Sequence, residues 1–337
     1  MNTKQNFRII TLMGILTLFA EPSKAVTIYN NNISALNINA LSDTFMSYTN
    51  YGSSMSEMFE NPIIYGTMRR IDEYGDDGST LDTLKGSKDS NDLFIHDIWG
   101  NANHVNTNMH YGKNISKHAR FNLATIGANT KNIALRHGVI SFGAFAAYIN
   151  TKVSDAKSNG DVVGIFSHYK YRNFGARTLT NIGSLNNTDS GVKYNNSWAN
   201  VATDIYANLK LDDTLYVKPF AYIGYTWVSS DDVCVDGNHV TSNDYNFFNV
   251  APGLSFIKEI VPNWYGAISG KYVAHFGGKN NIHVNGANVD GLDLDSYTDI
   301  GTDIEYKFKQ FIFTGKVHAL IGDIDGWDTN LNIKYVF

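Results

Sequence analysis

The residues of this 337-residue chain that could do chemistry are spaced by twos. Asp299, Asp303, Glu305 and Lys307 alternate with Ile300, Ile304, Tyr306 and Phe308, and Lys316 and His318 alternate with Val317 and Ala319. Asp204 and Lys210 keep step with Asn200, Tyr206 and Asn208, opposite Val201, Thr203, Ile205, Ala207, Leu209 and Leu211. A period of two places each set on one face of an extended strand. The charged face needs water and the apolar face needs lipid or a core, so these residues read as the two sides of a wall that separates the two media.

Enzymatic chemistry has little else to stand on. The chain contains no Gly-x-Ser-x-Gly, no His-Glu-x-x-His and no phosphate-binding glycine loop, and Cys234 is its single cysteine. Asp231, Asp232 and Asp236 lie close together, as do Asp290, Asp293 and Asp295, but neither group has EF-hand spacing, so solvated loop charge is the simpler reading. His168, His275 and His318 fit the polar face of strands. The chain reads as a non-enzyme with no cofactor. Its net charge of −5 argues against a nucleic-acid partner.

The elements that position these residues are strands. Period-2 patterning begins at Asn91 and gives twelve: 92–102, 120–129, 138–152, 161–171, 174–184, 197–211, 215–229, 244–260, 263–276, 296–307, 310–321 and 326–337. The faces of 120–129, 138–152 and 174–184 do not alternate cleanly and stay open. Arg172-Asn173, Asp212-Asp213-Thr214, Val261-Pro262 and Phe308-Lys309 are tight connections, whereas 185–196, 230–243 and 277–295 are long and polar. This predicts an all-β antiparallel transmembrane barrel with its short turns on the periplasmic side and its long loops outside. Trp198, Trp227, Trp264 and Trp327 sit near strand ends, where they suit either an interfacial girdle or core packing. Aromatic residues at 13%, charged residues at 18% and a mean hydropathy of −0.23 suit a strand-rich chain better than a helical membrane protein.

The two ends agree. Lys4 and Arg8 precede an apolar run at 9–20 and a small-x-small site, Ser23-Lys24-Ala25, so residues 1–25 are expected to be a signal peptide. Residues 26–90 are expected to form a short, partly helical segment. Phe45, Tyr48, Met55, Met58 and Phe59 fall at helical spacings, and Asn61-Pro62 fits the start of a second helix that carries Arg69 and Arg70. At the other end Leu331, Ile333, Tyr335 and Phe337 share one face of the last strand. An exposed aromatic edge invites aggregation unless another strand closes it.

In these respects residues 91–337 resemble an autotransporter (type V secretion) translocator β-barrel. Ile98-Trp99-Gly100, Gly138-Val139-Ile140-Ser141-Phe142-Gly143, Pro219-Phe220-Ala221-Tyr222 and Ile333-Lys334-Tyr335-Val336-Phe337 carry the likeness, by their order and terminal placement. The resemblance implies a bacterial outer-membrane barrel with its loops at the cell surface, partnered by lipid and the barrel-assembly machinery. The face Phe337, Tyr335, Ile333 and Leu331 would then be the insertion signal. Asp299, Asp303, Glu305, Lys307, Lys316, His318, Asp204 and Lys210 would line the lumen, and a helix carrying Arg69 and Arg70 would either thread it or stand solvated in the periplasm. The barrel would export or display residues 26–90, a segment much shorter than a usual passenger. Two alternatives stay open: an adhesin-like barrel whose long loops bind host or matrix ligands, and a small diffusive porin.

Overall fold

The computed structural model describes residue 55 and residues 95–111, 115–153, 156–189, 192–235, 238–242, 244–277, 281–284, 287–290 and 296–337. Twelve antiparallel strands dominate: β1 (Ile95–Tyr111), β2 (Ile115–Thr130), β3 (Gly138–Val153), β4 (Ala156–Tyr171), β5 (Phe174–Asp189), β6 (Val192–Ala207), β7 (Leu215–Ser230), β8 (Tyr245–Val261), β9 (Trp264–Gly277), β10 (Tyr297–Phe308), β11 (Phe311–Gly322) and β12 (Ile324–Val336). Each pairs with the next, and β12 returns to pair with β1 from Asp97↔Val336 to Met109↔Ile324. The Phe337 amide then donates to the His96 carbonyl at 2.9 Å. Closure leaves the aromatic last strand without a free edge, which disposes of the aggregation hazard in its sequence.

The links β4–β5, β8–β9 and β10–β11 are tight and lie at the Phe337 end of the barrel. Each holds one non-glycine residue in the left-handed region, namely Arg172, Asn263 and Lys309. In the link between β6 and β7, Thr214 donates its backbone N–H and its hydroxyl to the Asp212 carboxylate, at 2.7 and 3.0 Å, and these bonds hold that carboxyl below its ordinary range.

The other end corrects the expected loops. Residues 185–196 are not a long loop: β5 runs on to Asp189 and β6 starts at Val192. The two long connections are themselves folded. Val233–Val235, Asn238–Ser242, Asn281–Val284 and Ala287–Asp290 pair into a separate four-stranded sheet. Asp290 ends one of these strands, while Asp236, Asp293 and Asp295 lie outside the described residues.

Along most strands burial alternates residue by residue. Near the Phe337 end the outward residues are apolar, for example Ile126, Ile165, Ile205, Phe313 and Ile333, which stand exposed as a lipid-facing surface must. The three strands with unclear faces explain themselves here. In β2, Thr125 and Asn129 point inward and Ile126 outward, but further along Phe121 and Leu123 are buried inside while Arg120 and Asn122 are exposed. The apolar face therefore changes sides within the strand. The same inversion occurs in β3, with Ile149 and Val153 inside and Asn150 and Lys152 outside, and in β5 Phe174 and Ile182 stand outside while Leu179 and Leu185 are inside. Such a stretch has passed beyond the lipid, where the outside meets water and is polar. Trp227, Trp264 and Trp327 are exposed on the outer face. Trp198 is not a girdle residue, because it is buried inside with its indole N–H donating to Asn181 at 3.1 Å.

Candidate functional site

The interior of the barrel gathers the polar side chains. One charged wall runs along β9 to β12. Ser269, Gly301 and His318 lie in direct register across β9, β10 and β11. Gly301 has no side chain, and the His318 imidazole lies over the space a Cβ would need. The ring spans β10 between two carboxylates, with Nδ1 on Asp299 and Nε2 3.3 Å from Asp303, while Ser269 donates to Asp303 at 3.3 Å. Lys271 stands 3.5 Å from Asp299, and Lys316 stands 3.3 Å from Asp328. Lys334 is paired with Asp97 at 3.5 Å across the closing seam, and Asn129 donates to the same Asp97 at 2.7 Å. Asp97, Asp299, Asp328, Lys271, Lys316 and Lys334 thus each have an opposite charge beside them, as a confined lumen requires.

The facing wall, β4 to β7, is different. Gly175 opposes Tyr206, whose ring occupies the space above the glycine and reaches His168 on β4 at 2.5 Å. Arg177 is ion-paired with Asp204 in direct register, and the Lys218 ammonium sits 4.4 Å from the centre of the Tyr206 ring. Amides pair farther along β5 to β7 and across the closing seam. Asn181 donates to Asn200, Asn200 to Thr226, Asn187 to Asn196, and Asn101 and Asn330 bond reciprocally.

Of the residues expected in the lumen, Asp204, Asp299, Glu305, Lys316 and His318 are buried on the inner face, and Asp303 and Lys307 are half-buried there. Lys210 is elsewhere. It lies in the β6–β7 link with its side chain 51% exposed, held by Asp213 at 2.8 Å, because the inward phase of β6 ends with the strand at Ala207. His168 is buried inside and His275 half-buried. Leu331, Ile333 and Phe337 are exposed on the outer face, and the Tyr335 ring lies tilted against that of Phe311 and edge-on to that of Phe337. Arg69 and Arg70 lie outside the described residues. Arg177, Lys218, Asp97 and Lys334 were not singled out from sequence. Lys334 and Asp97 sat in alternating strands and could have been found, whereas Arg177 lay on a strand whose phase inverts.

Met55, the one described residue ahead of the barrel, is inside it in helical conformation. Its backbone N–H donates to the Glu305 carboxylate at 2.9 Å, and its side chain is buried with Ile257, Tyr265 and Ala267 on the inner face. Deeper along the axis the inner wall turns apolar, with Ile149, Leu179, Leu185, Val228 and Val273 at 0% exposure. Twelve strands spaced by about 4.8 Å and tilted by about 40° close a barrel roughly 24 Å across between backbones, too wide for opposite side chains to cover one another. The apolar residues of that wall belong to one cluster with Phe145, Phe166, Trp198, Tyr222 and Phe247.

No family model matches the chain, and no curated protein matches its sequence. Solved structures do. The β domain of the Bordetella autotransporter BrkA aligns with a TM-score of 0.61 at 13% identity, covering 73% of this chain and 100% of that one. The transport unit of AIDA-I from Escherichia coli aligns with a TM-score of 0.61 at 15% identity, covering 83% and 99%. The fold is that of an autotransporter translocator barrel. The translocator domain of NalP from Neisseria meningitidis extends the likeness, with a TM-score of 0.55 at 10% identity over 74% of this chain and 90% of that one. At such identities the likeness concerns architecture, and this barrel builds its interior from its own residues.

Proposed function

We propose that residues 91–337 are an outer-membrane translocator barrel and that residues 26–90, released from a signal peptide at 1–25, are the segment it exports or displays. The observation that carries this reading is Met55. A residue forty positions before the first strand is bonded to Glu305 inside the barrel, where a segment in transit or held after transit would be. The lipid-facing outer band, the paired charges within and the translocator fold support it. The role is non-catalytic, and its partners are outer-membrane lipid and the assembly machinery.

A second reading has one observation in its favour: the two long connections form a sheet of their own at the end away from Phe337, which would suit a surface that binds host or matrix ligands. The two are told apart on intact cells. An epitope at residue 30 is expected to be reached by antibody, with a tag at Asn288 as positive and one at Asp213 as negative control. Protection of residue 30 while Asn288 is reached would overturn the export reading. Loss of cell or matrix binding on removing 277–295, with residue 30 still reached, would add the second role.

A further inference from the structure

Beyond the lipid-facing band, the outer surface of β2 to β6 repeats one order strand after strand. On β2 the outward residues run Ile126, Ala124, Asn122, Arg120; on β3, Ala146, Tyr148, Asn150, Lys152; on β4, Val163, Asp161, Asn159, Lys157; on β5, Ile182, Ser184, Asn186, Thr188. On β6 they run Ala199, Ser197, Asn195, Lys193. Pairing aligns them in rows. Asn122, Asn150, Asn159, Asn186 and Asn195 are successive cross-strand partners, and so are Arg120, Lys152, Lys157, Thr188 and Lys193. All ten are exposed.

Arg120, Lys152 and Lys157 are therefore like charges directly opposite one another on three adjacent strands, with Cα atoms about 5 Å apart, an unfavourable arrangement that an anion lying across it would relieve; Arg120 also donates to His118 at 3.3 Å. Among the described outward residues of these rows the one carboxylate is Asp161, two rows away. On each strand the asparagine comes between the cation row and the lipid-facing residue. Asparagine amides both donate and accept, as sugar hydroxyls do, and Arg and Lys together suit phosphate oxygens. Six residues separate the apolar row from the cations, about 20 Å along the strand and about 15 Å along the membrane normal at a tilt of about 40°. A phospholipid headgroup layer is only about 5–7 Å deep, so it ends short of the cations. A headgroup of several sugars does not.

We propose that this belt binds the phosphorylated saccharide headgroup of a glycolipid in the surrounding leaflet, with acyl chains along the apolar row, sugars on the asparagines and phosphate on Arg120, Lys152 and Lys157. The inference rests on the outer-membrane placement and is independent of export. The folded full-length protein in neutral detergent would be titrated with phosphorylated lipopolysaccharide truncated to its inner sugars, with the same material dephosphorylated, and with phosphatidylglycerol. The phosphorylated glycolipid is expected to bind about ten-fold more tightly than either of the others. Arg120→Gln/Lys152→Gln/Lys157→Gln is expected to lose that advantage, while Lys258→Gln, an exposed cation near the opposite end, keeps it. Heat-modifiable mobility checks that each variant is folded, and removing like-charge neighbours favours folding. Unchanged binding by the triple variant, or equal binding of phosphatidylglycerol, would overturn the proposal.

Discussion

At the scale of single residues, the interior is organised by pairs that cannot be broken one member at a time. Arg177 and Asp204 are both almost fully buried and face each other in register, with the Arg177 guanidinium also 5.1 Å from the Tyr206 ring centre. Removing one partner of a buried pair leaves the other charge uncompensated, at a cost of about 3–5 kcal/mol, whereas removing both often costs little. Asp204→Leu is therefore expected to lower the urea midpoint of the folded barrel strongly, and Arg177→Leu/Asp204→Leu to recover much of the loss. A double variant as unstable as the single one would show that the pair's charges are held by other groups. The same logic extends to His318, whose position between Asp299 and Asp303 depends on the empty space over Gly301.

At the scale of elements, what the sequence made legible was decided by whether a strand keeps one phase. β10, β11 and β12 stay within the lipid band along most of their length, so their alternation showed the inner and outer faces directly. β2, β3 and β5 cross the boundary, and their apolar residues change sides, so a single period-2 pattern could not describe them. Residues 185–196 read as a loop because they carry asparagine on both faces, at Asn186 and Asn195 outside and Asn187 and Asn196 inside. The lumen was legible where charge alternated with isoleucine, and Arg177 was hidden for the same reason as its strand. The boundary itself can be tested by depth. A lysine on the lipid face costs about 2–4 kcal/mol near the midplane and about 0–1 near the interface. Ile165→Lys is expected to destabilise the barrel by the larger amount and Asn159→Lys by the smaller, read from denaturant midpoints in vesicles. Equal costs would mean that the polar half of β4 is also in lipid. The last strand carries its own expectation. Phe337 packs its ring 5.1 Å from that of Tyr335, and its amide completes the seam to β1. Its deletion is expected to reduce the heat-modifiable, folded barrel in the outer-membrane fraction, and an unchanged yield would remove the terminal face from the assembly signal.

At the scale of the whole molecule, the question is what stands in the lumen. A barrel of twelve strands leaves a channel unless something fills it. Met55 stands in that space, its N–H bonded to Glu305. The expectation for Arg69 and Arg70 is that they stand near lumenal carboxylates such as Asp299, Asp303 and Glu305, since a charge in a narrow lumen is costly without a partner. Planar bilayers give the measurement. Removing residues 26–90 from the folded protein is expected to raise single-channel conductance several-fold, and Arg69→Glu/Arg70→Glu to raise it in part. Glu305→Gln should act more weakly, because a neutral amide oxygen can still accept from the Met55 N–H but with about half the strength of a carboxylate. If the truncated and complete chains conduct equally, residues 26–90 do not occupy the channel, and the burial of Ile149, Leu185 and Val273 must come from elsewhere in the chain.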